Sequence, residues 1–199
     1  MKHKGEQTKI YIKEKAMYLF AQKGFKDVTM KDICEATNLS RGGLYGHYDS
    51  TKQIFSEIIA SFLNNQNHEI EDKIKQDVSA IQILDELLEK YKKEMLDTDT
   101  SLSIALYEYF SSKQLNSEQN PLFQQYLDSF QSWKTLLNYG ISRQEFKDVD
   151  IQSIFDLIIF SYQGVRLYSK LMPINEQIPD RITRQIKSMI QIDEENRYE

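Results

Sequence analysis

Apolar residues recur along nearly the whole chain at spacings of three and four, with polar residues between them. Ile12, Ala16, Leu19 and Phe20 share one face of a helix, and Lys13, Glu14 and Lys23 fall off that face. Gly24 is placed to close this helix in a left-handed C-cap, with Phe25 folding back on the last turn. Thr29-Met-Lys-Asp32 has the spacing of a capping box, so a second helix starts there. That helix is short. It turns Met30, Ile33 and Cys34 inward and breaks at Thr37-Asn38, with Leu39 as an apolar pin in the turn. Ser40 caps a third helix, and Ser50-Thr-Lys-Gln53 opens a longer one running to about Glu69. Ile54, Phe55, Ile58, Ile59, Phe62 and Leu63 give this linking helix two adjoining apolar strips.

The same reading continues through the rest of the chain. A helix from about Ser79 to Leu96 carries Ile83, Leu84, Leu87, Leu88, Tyr91 and Met95 on one side. Leu102–Phe110 is apolar on nearly every side, which predicts burial all round, with Glu108 inside it. Asn120-Pro121 starts a helix running to about Ile141. Ile151–Leu171 is the most hydrophobic helix and holds Gly164 in its middle, where glycine costs about 1 kcal/mol against alanine. Close approach of another helix accounts for such a glycine. A last helix spans about Arg181–Ile192. Only three prolines and seven glycines interrupt 199 residues, in keeping with long helices and few tight turns. The expected fold is all-α, with an N-terminal helix-turn-helix domain at 8–68 and a helical domain at 69–199.

Charge sharpens the division. Residues 1–52 carry 10 Lys+Arg against 6 Asp+Glu, and residues 53–199 carry 15 against 24. A basic head on an acidic body suits a head that meets a polyanion, although Lys2, Lys4 and Lys9 of the N-terminal tail supply part of the excess. One cysteine, Cys34, excludes an internal disulfide or a multi-cysteine metal site. Three histidines, no phosphate loop and no paired metal-ligand motif argue against an enzyme, a metal site or a cofactor. The N-terminus lacks the apolar segment of a signal peptide, and no apolar run is long enough to span a bilayer, so a cytoplasmic protein without a membrane partner is expected.

Two short helices joined by a tight turn behind a longer helix make a helix-turn-helix. Ser40-Arg-Gly-Gly-Leu-Tyr-Gly-His-Tyr48 reads as its recognition helix, with a cation at its start and a bare glycine surface after it. The run from Ile12 through Lys23-Gly24-Phe25, Thr29-Met-Lys-Asp-Ile33, Leu39-Ser40-Arg-Gly, Leu44-Tyr45 and His47-Tyr48 to Lys52 and Phe55 resembles the N-terminal domain of TetR-family bacterial transcriptional regulators. The resemblance covers about a quarter of the chain. It implies a homodimeric, ligand-released repressor bound to a palindromic double-stranded DNA operator. It also implies that Thr29 contacts phosphate, that Ser40 caps the recognition helix, and that Arg41, Gly42 and Gly43 meet base edges. Tyr45, His47 and Tyr48 match positions that contact phosphate or pack beneath it, and Tyr48 suits either role. Two positions depart from the family's pattern. Gly46 replaces a bulkier residue, and Thr51 stands where a phosphate-binding lysine is usual, with Lys52 one step later. These departures leave open an alternative: a small-molecule-binding protein whose head binds DNA weakly.

The body's aromatics suggest a cavity for a lipophilic small molecule. Tyr107, Phe110, Tyr126, Phe130, Trp133 and Tyr162 are its candidate walls and Glu108 its candidate acid. Each of them also suits a plain core. A buried Glu108 must be neutralised, hydrogen-bonded or paired, and Arg166, a tyrosine hydroxyl or a cationic aromatic ligand would each serve. The apolar pair of helices nearest the C-terminus looks like an isologous dimer face.

Overall fold

The structure is a computed structural model and describes residues 2–63, 68–111 and 120–192. Ten helices are assigned among these residues: α1 (Lys2–Lys23), α2 (Met30–Thr37), α3 (Arg41–Tyr45), α4 (Thr51–Leu63), α5 (Glu69–Lys75), α6 (Ala80–Leu96), α7 (Ser103–Ser111), α8 (Pro121–Ser142), α9 (Ile151–Tyr168) and α10 (Gln177–Ile190). The only β pairing among them is a single antiparallel bridge, Phe146 with Gln191. Of the expected continuation of the linking helix to about Glu69, residues 64–67 lie outside the described residues, and Glu69 opens the separate helix α5. The short helix α5 was not foreseen. Its acids stand in the first turn and its lysines in the last, matching the helix dipole.

The chain forms two compact units. Among the described residues, the first is made of 2–63 and 98–111 and the second of 68–97 and 120–192. The sequence reading placed everything after residue 68 in one C-terminal domain. Residues 98–111 belong to the first unit instead, because Leu102, Ala105 and Tyr109 are buried in its core.

That core is built on the face of α1 read from the sequence. Ile12, Ala16 and Phe20 are fully buried there, with Ile33 of α2, Leu44 of α3 and Ile54, Phe55 and Ile58 of α4. An aromatic cluster closes it. The rings of Phe20 and Phe55 lie 4.6 Å apart, and Phe25 meets Tyr109 edge to face at 5.0 Å. Gly24 takes φ +79° and its N–H bonds Phe20 O at 3.0 Å, the left-handed C-cap expected of it. A side chain there would meet Glu108: a Cβ on Gly24 would lie 2.7 Å from Glu108 Oε2.

Glu108 therefore has a role that spacing along the chain does not reveal. Its Oε2 accepts the backbone N–H groups of Phe25 at 2.6 Å and Lys26 at 3.0 Å. Oε2 of the carboxylate is satisfied by the turn after α1, and Arg166 bonds Tyr162 instead. Tyr107, expected to be buried, is 64 % exposed, and Phe110 packs on the first unit's core. α7 is thus buried along one face and not all round, because Tyr107 keeps its polar tip in water.

In the second unit, α6, α8, α9 and α10 enclose a core of Ile83, Leu84, Leu88, Trp133, Leu136 and Phe155, among others. The expected caps are present. Asn120 Oδ1 accepts Leu122 N–H ahead of Pro121, and Ser79 Oγ accepts Gln82 N–H. Gly140 of α8 is needed for close contact, since a Cβ there would lie 2.1 Å from the ring of Phe146. Phe146 is held in place by the bridge bonds of its two neighbours, Lys147 N–H donating to Ile190 O and Glu145 O accepting Ile192 N–H.

Two outcomes follow for stability. Gly140→Ala should lower unfolding free energy in urea by about 1–3 kcal/mol through overpacking against Phe146; an unchanged midpoint would mean that this loop yields freely. Glu108→Ala should destabilise by a similar amount, about 1–3 kcal/mol, because two amides lose their acceptor. Glu108→Gln, which keeps one carbonyl oxygen, should lose less, and equal losses would argue against its role as the amides' acceptor.

Candidate nucleic-acid interface

α2 begins at Thr29, whose backbone is extended and whose side chain forms a reciprocal box with Asp32. Asp32 Oδ2 accepts Thr29 N–H at 2.8 Å and also the Thr29 hydroxyl, while Thr29 Oγ1 accepts Asp32 N–H at 3.2 Å. Lys23 Nζ lies 2.6 Å from Asp32 Oδ1. The Lys23 ammonium, then the Thr29 hydroxyl and amide, hold the Asp32 carboxyl well below the usual carboxylate range. The cap stays charged through neutral and mildly acidic conditions. Thr29 is exposed, but its hydroxyl proton is committed to Asp32.

The turn after α2 uses Asn38 in place of glycine. Asn38 adopts φ 54°, a left-handed conformation that asparagine tolerates better than most residues. Thr37, read from the sequence only as part of the helix break, is buried, and its hydroxyl donates to Ile33 O at 2.6 Å. Leu39 packs against the core as its pin.

Ser40 Oγ then accepts Gly43 N–H at 3.1 Å and starts α3. Leu44 is fully buried and fixes the helix's rotation about its own axis. Arg41 and Gly42 consequently face solvent, Tyr45 is 47 % exposed and His47 is half-buried. A Cβ on Gly42 would meet nothing within 4 Å, so the chain's own packing gives no reason for glycine there. Gly43 is tighter, with Ser40 Oγ at 3.2 Å from such a Cβ. Gly46 sits in ordinary right-handed helical backbone at the end of α3, where a larger residue would fit without strain.

Tyr48 departs from the phosphate role. It is 1 % exposed, and its hydroxyl donates to Glu57 Oε2 at 2.9 Å. Burial, then the Glu57 carboxylate, push its phenol upward from the ordinary value. Tyr48 is a core residue beneath the recognition helix. Lys9 Nζ lies 5.0 Å from the centre of its ring and 3.5 Å from Glu57 Oε1. The start of α4 is capped as expected: Ser50 Oγ accepts Gln53 N–H, and Gln53 Oε1 returns to Asp49 N–H. Lys52 in its first turn is exposed.

The structure divides the residues expected to line a ligand cavity. Tyr107, Glu108 and Phe110 belong to the first unit, as described above, and Tyr126, Phe130, Trp133 and Tyr162 to the second. Tyr126 bonds Asp156 and Gln152, and Phe130 lies 5.3 Å from Phe155. Trp133 is buried and donates to Tyr91 Oη at 3.3 Å. Tyr162 stacks on Tyr91 at 4.3 Å, donates its hydroxyl proton to Glu94 and accepts from Arg166 Nη1 at 3.0 Å. Tyr91 and Glu94 were missed as polar partners. Tyr91 reads as one more member of an apolar stripe, and only their i, i+3 spacing on α6 hinted at a shared site.

No helix among the described residues is long and apolar enough to cross a membrane. Residues 12–58 match the family model for bacterial regulatory proteins of the tetR family, and residues 82–177 match that of the tetracyclin repressor-like C-terminal domain. The uncharacterized HTH-type transcriptional regulator YfiR of Bacillus subtilis is 30 % identical over 139 residues, which cover 69 % of this chain and 67 % of that protein. The HTH-type transcriptional repressor KstR2 of Rhodococcus jostii is 24 % identical over 178 residues, covering 88 % and 85 %. The fold matches that of a TetR transcriptional regulator from Chloroflexus aurantiacus with a TM-score of 0.72 at 19 % identity, over 96 % of this chain and all of the other. The helix-turn-helix with its exposed Arg41 and bare Gly42, the helical second unit and these matches lead to one conclusion: the chain belongs to the TetR family of DNA-binding transcriptional regulators.

Proposed function

We propose that this protein is a cytoplasmic homodimeric repressor that leaves its operator when a small molecule binds the second unit, and that it has no catalytic role. The single observation behind the DNA contacts is the exposed surface of α3. Arg41 and Gly42 face water on a helix whose opposite side is fixed by buried Leu44, and among the described residues nothing lies within 4 Å of a Cβ on Gly42. A bare glycine beside a free guanidinium lets a base edge come close while the cation takes a bidentate hold on guanine. Arg41, Gly42 and Gly43 read the major groove; Ser40 caps their helix; Tyr45, His47, Lys52 and the backbone at Thr29 border the phosphates. Tyr48 supports this surface from below.

The dimer face is assigned to α9. Leu157, Phe160 and Tyr168 are 50 %, 65 % and 55 % exposed, and a Cβ on Gly164 would meet nothing within 4 Å. The close helix approach that this glycine calls for is not made among the described residues, so a second copy is its natural source. The apolar residues of α10 are less exposed than those of α9, and α10 contributes the polar rim.

Arg41→Ala should weaken binding to a selected operator by about 1–3 kcal/mol while hardly changing affinity for random DNA. Equal losses on both would make Arg41 a phosphate contact. Lys52→Ala should weaken both and flatten the salt dependence by about one unit of slope; an unaltered slope would remove Lys52 from the interface. Gly164→Leu should give monomer or aggregate by sedimentation, and an intact dimer would place the interface on other helices.

A further inference from the structure

The second unit contains one polar cluster inside otherwise apolar packing. It joins Tyr91 and Glu94 of α6 to Tyr162 and Arg166 of α9. Its hydrogen bonds run in one direction. Arg166 Nη1 donates to the Tyr162 hydroxyl, which donates to Glu94 Oε2. Trp133 Nε1 donates to the Tyr91 hydroxyl, and Tyr91 stacks on Tyr162. Every acceptor named in this chain of bonds is engaged. The donors are not. Arg166 Nε is buried with no partner, and Arg166 forms no ion pair among the described residues. No described residue accepts the proton of Tyr91 either, and burial favours that phenol staying protonated. A buried N–H without an acceptor is costly, and a guanidinium without a counter-anion more so. The neighbours of the cluster are apolar: Met95, Ile159, Val165, Ile174, Ile178 and Ile182.

We propose that Tyr91, Glu94, Tyr162 and Arg166 form the head-group end of the effector site, and that the effector is a monocarboxylate carried on an apolar body. This rests on the reading of the protein as a ligand-released repressor. An acceptor is what the cluster lacks, which excludes a purely donating head. A carboxylate bonds a guanidinium more strongly than a neutral carbonyl does, because both partners are charged. One negative charge is also the limit. Glu94 makes no ion pair with Arg166, but both bond the Tyr162 hydroxyl, so its carboxylate stands near enough to repel a dianion such as a phosphate monoester. A cation would face Arg166, while the only nearby carboxylate is already taken by Tyr162. The surrounding apolar side chains suit the ligand's body. The earlier expectation of a cationic aromatic held by Glu108 is replaced, since Glu108 is bound to the turn after α1.

The test uses the intact protein and three probes of equal length: octanoate, octan-1-ol and octylammonium. Trp133, the only tryptophan, reports binding through its bond to Tyr91. DNA selected from random sequence by the protein reports release. Octanoate should shift Trp133 emission at a concentration at least tenfold below that of octan-1-ol, and should release the DNA over the same range. Arg166→Gln should reduce that preference to within twofold. Equal binding of acid and alcohol, tighter binding of octylammonium, octanoate binding without release, or an undiminished preference in Arg166→Gln would each overturn the proposal. The probe comparison on the unaltered protein stands even where Arg166→Gln fails to fold. DNA selection is scored first, without any probe. Failure to select DNA overturns the regulator reading itself, whereas selected DNA that ignores octanoate overturns only the carboxylate site.

Discussion

A helix of five residues has no stability of its own, because the cost of its first turn is not recovered by so few hydrogen bonds. α3 is such a helix, and everything it displays depends on one buried side chain. Leu44 is wholly enclosed by residues of α1, α2 and α4, and it sets which side of α3 meets water. Tyr48, one turn later, is anchored in the same core and tied to Glu57. Ser40 supplies the remaining constraint by taking the amide of Gly43. A recognition surface with almost no internal rigidity thus borrows it from the core beneath. This explains why the exposed positions, Arg41 and Gly42, are free of structural duty: the neighbouring residues carry it.

The turns on either side follow the same economy of backbone. Two left-handed residues, Gly24 and Asn38, bracket α2. Gly24 is required twice over, by its φ and by the carboxylate of Glu108 pressed against it. Asn38 faces no such crowding limit and needs only a side chain that tolerates a left-handed backbone. Glu108 then satisfies two of the amides that the sharp exit from α1 leaves open. A carboxylate from another element supplies the acceptor for turn amides that the local sequence leaves without one.

The parts of this architecture legible in the sequence were those set by local rules. The capping box at Thr29, the Ser50 cap, the Asn120-Pro121 start and the Gly24 stop all depend on residues within four positions of one another, and each is present, although Gln53 returns to Asp49 N–H and not to Ser50. Glu108 was misplaced because its partners lie 83 and 82 residues away, and no periodicity carries that information. Tyr107 was misplaced for a different reason: a tyrosine counts as apolar in a pattern but can leave its ring half in water. Tyr48 was readable only as a choice, since its ring suits a core and its hydroxyl a phosphate. The burial of that ring and the nearness of Glu57 decide it. The polar cluster around Tyr162 was invisible for the reason that applies to Glu108. Its donors and acceptors come from two helices 68 positions apart in sequence.

The first unit is not a contiguous piece of chain, and this bears on what a helix-turn-helix domain means here. Leu102, Ala105 and Tyr109 complete its core, and Glu108 accepts two amides of the turn after its first helix, yet residues 97 and 120 on either side belong to the second unit. A fragment ending after α4 would keep α2 and α3 with every local cap intact. It would lose the edge-to-face partner of Phe25 and the acceptor for two amides of the α1–α2 turn. The resemblance of residues 12–58 to the family's DNA-binding domain therefore marks where recognition lies, not where folding stops. The chain crosses between the two units three times, so the segment that completes the DNA-binding core is tethered at both ends to the unit assigned to the effector.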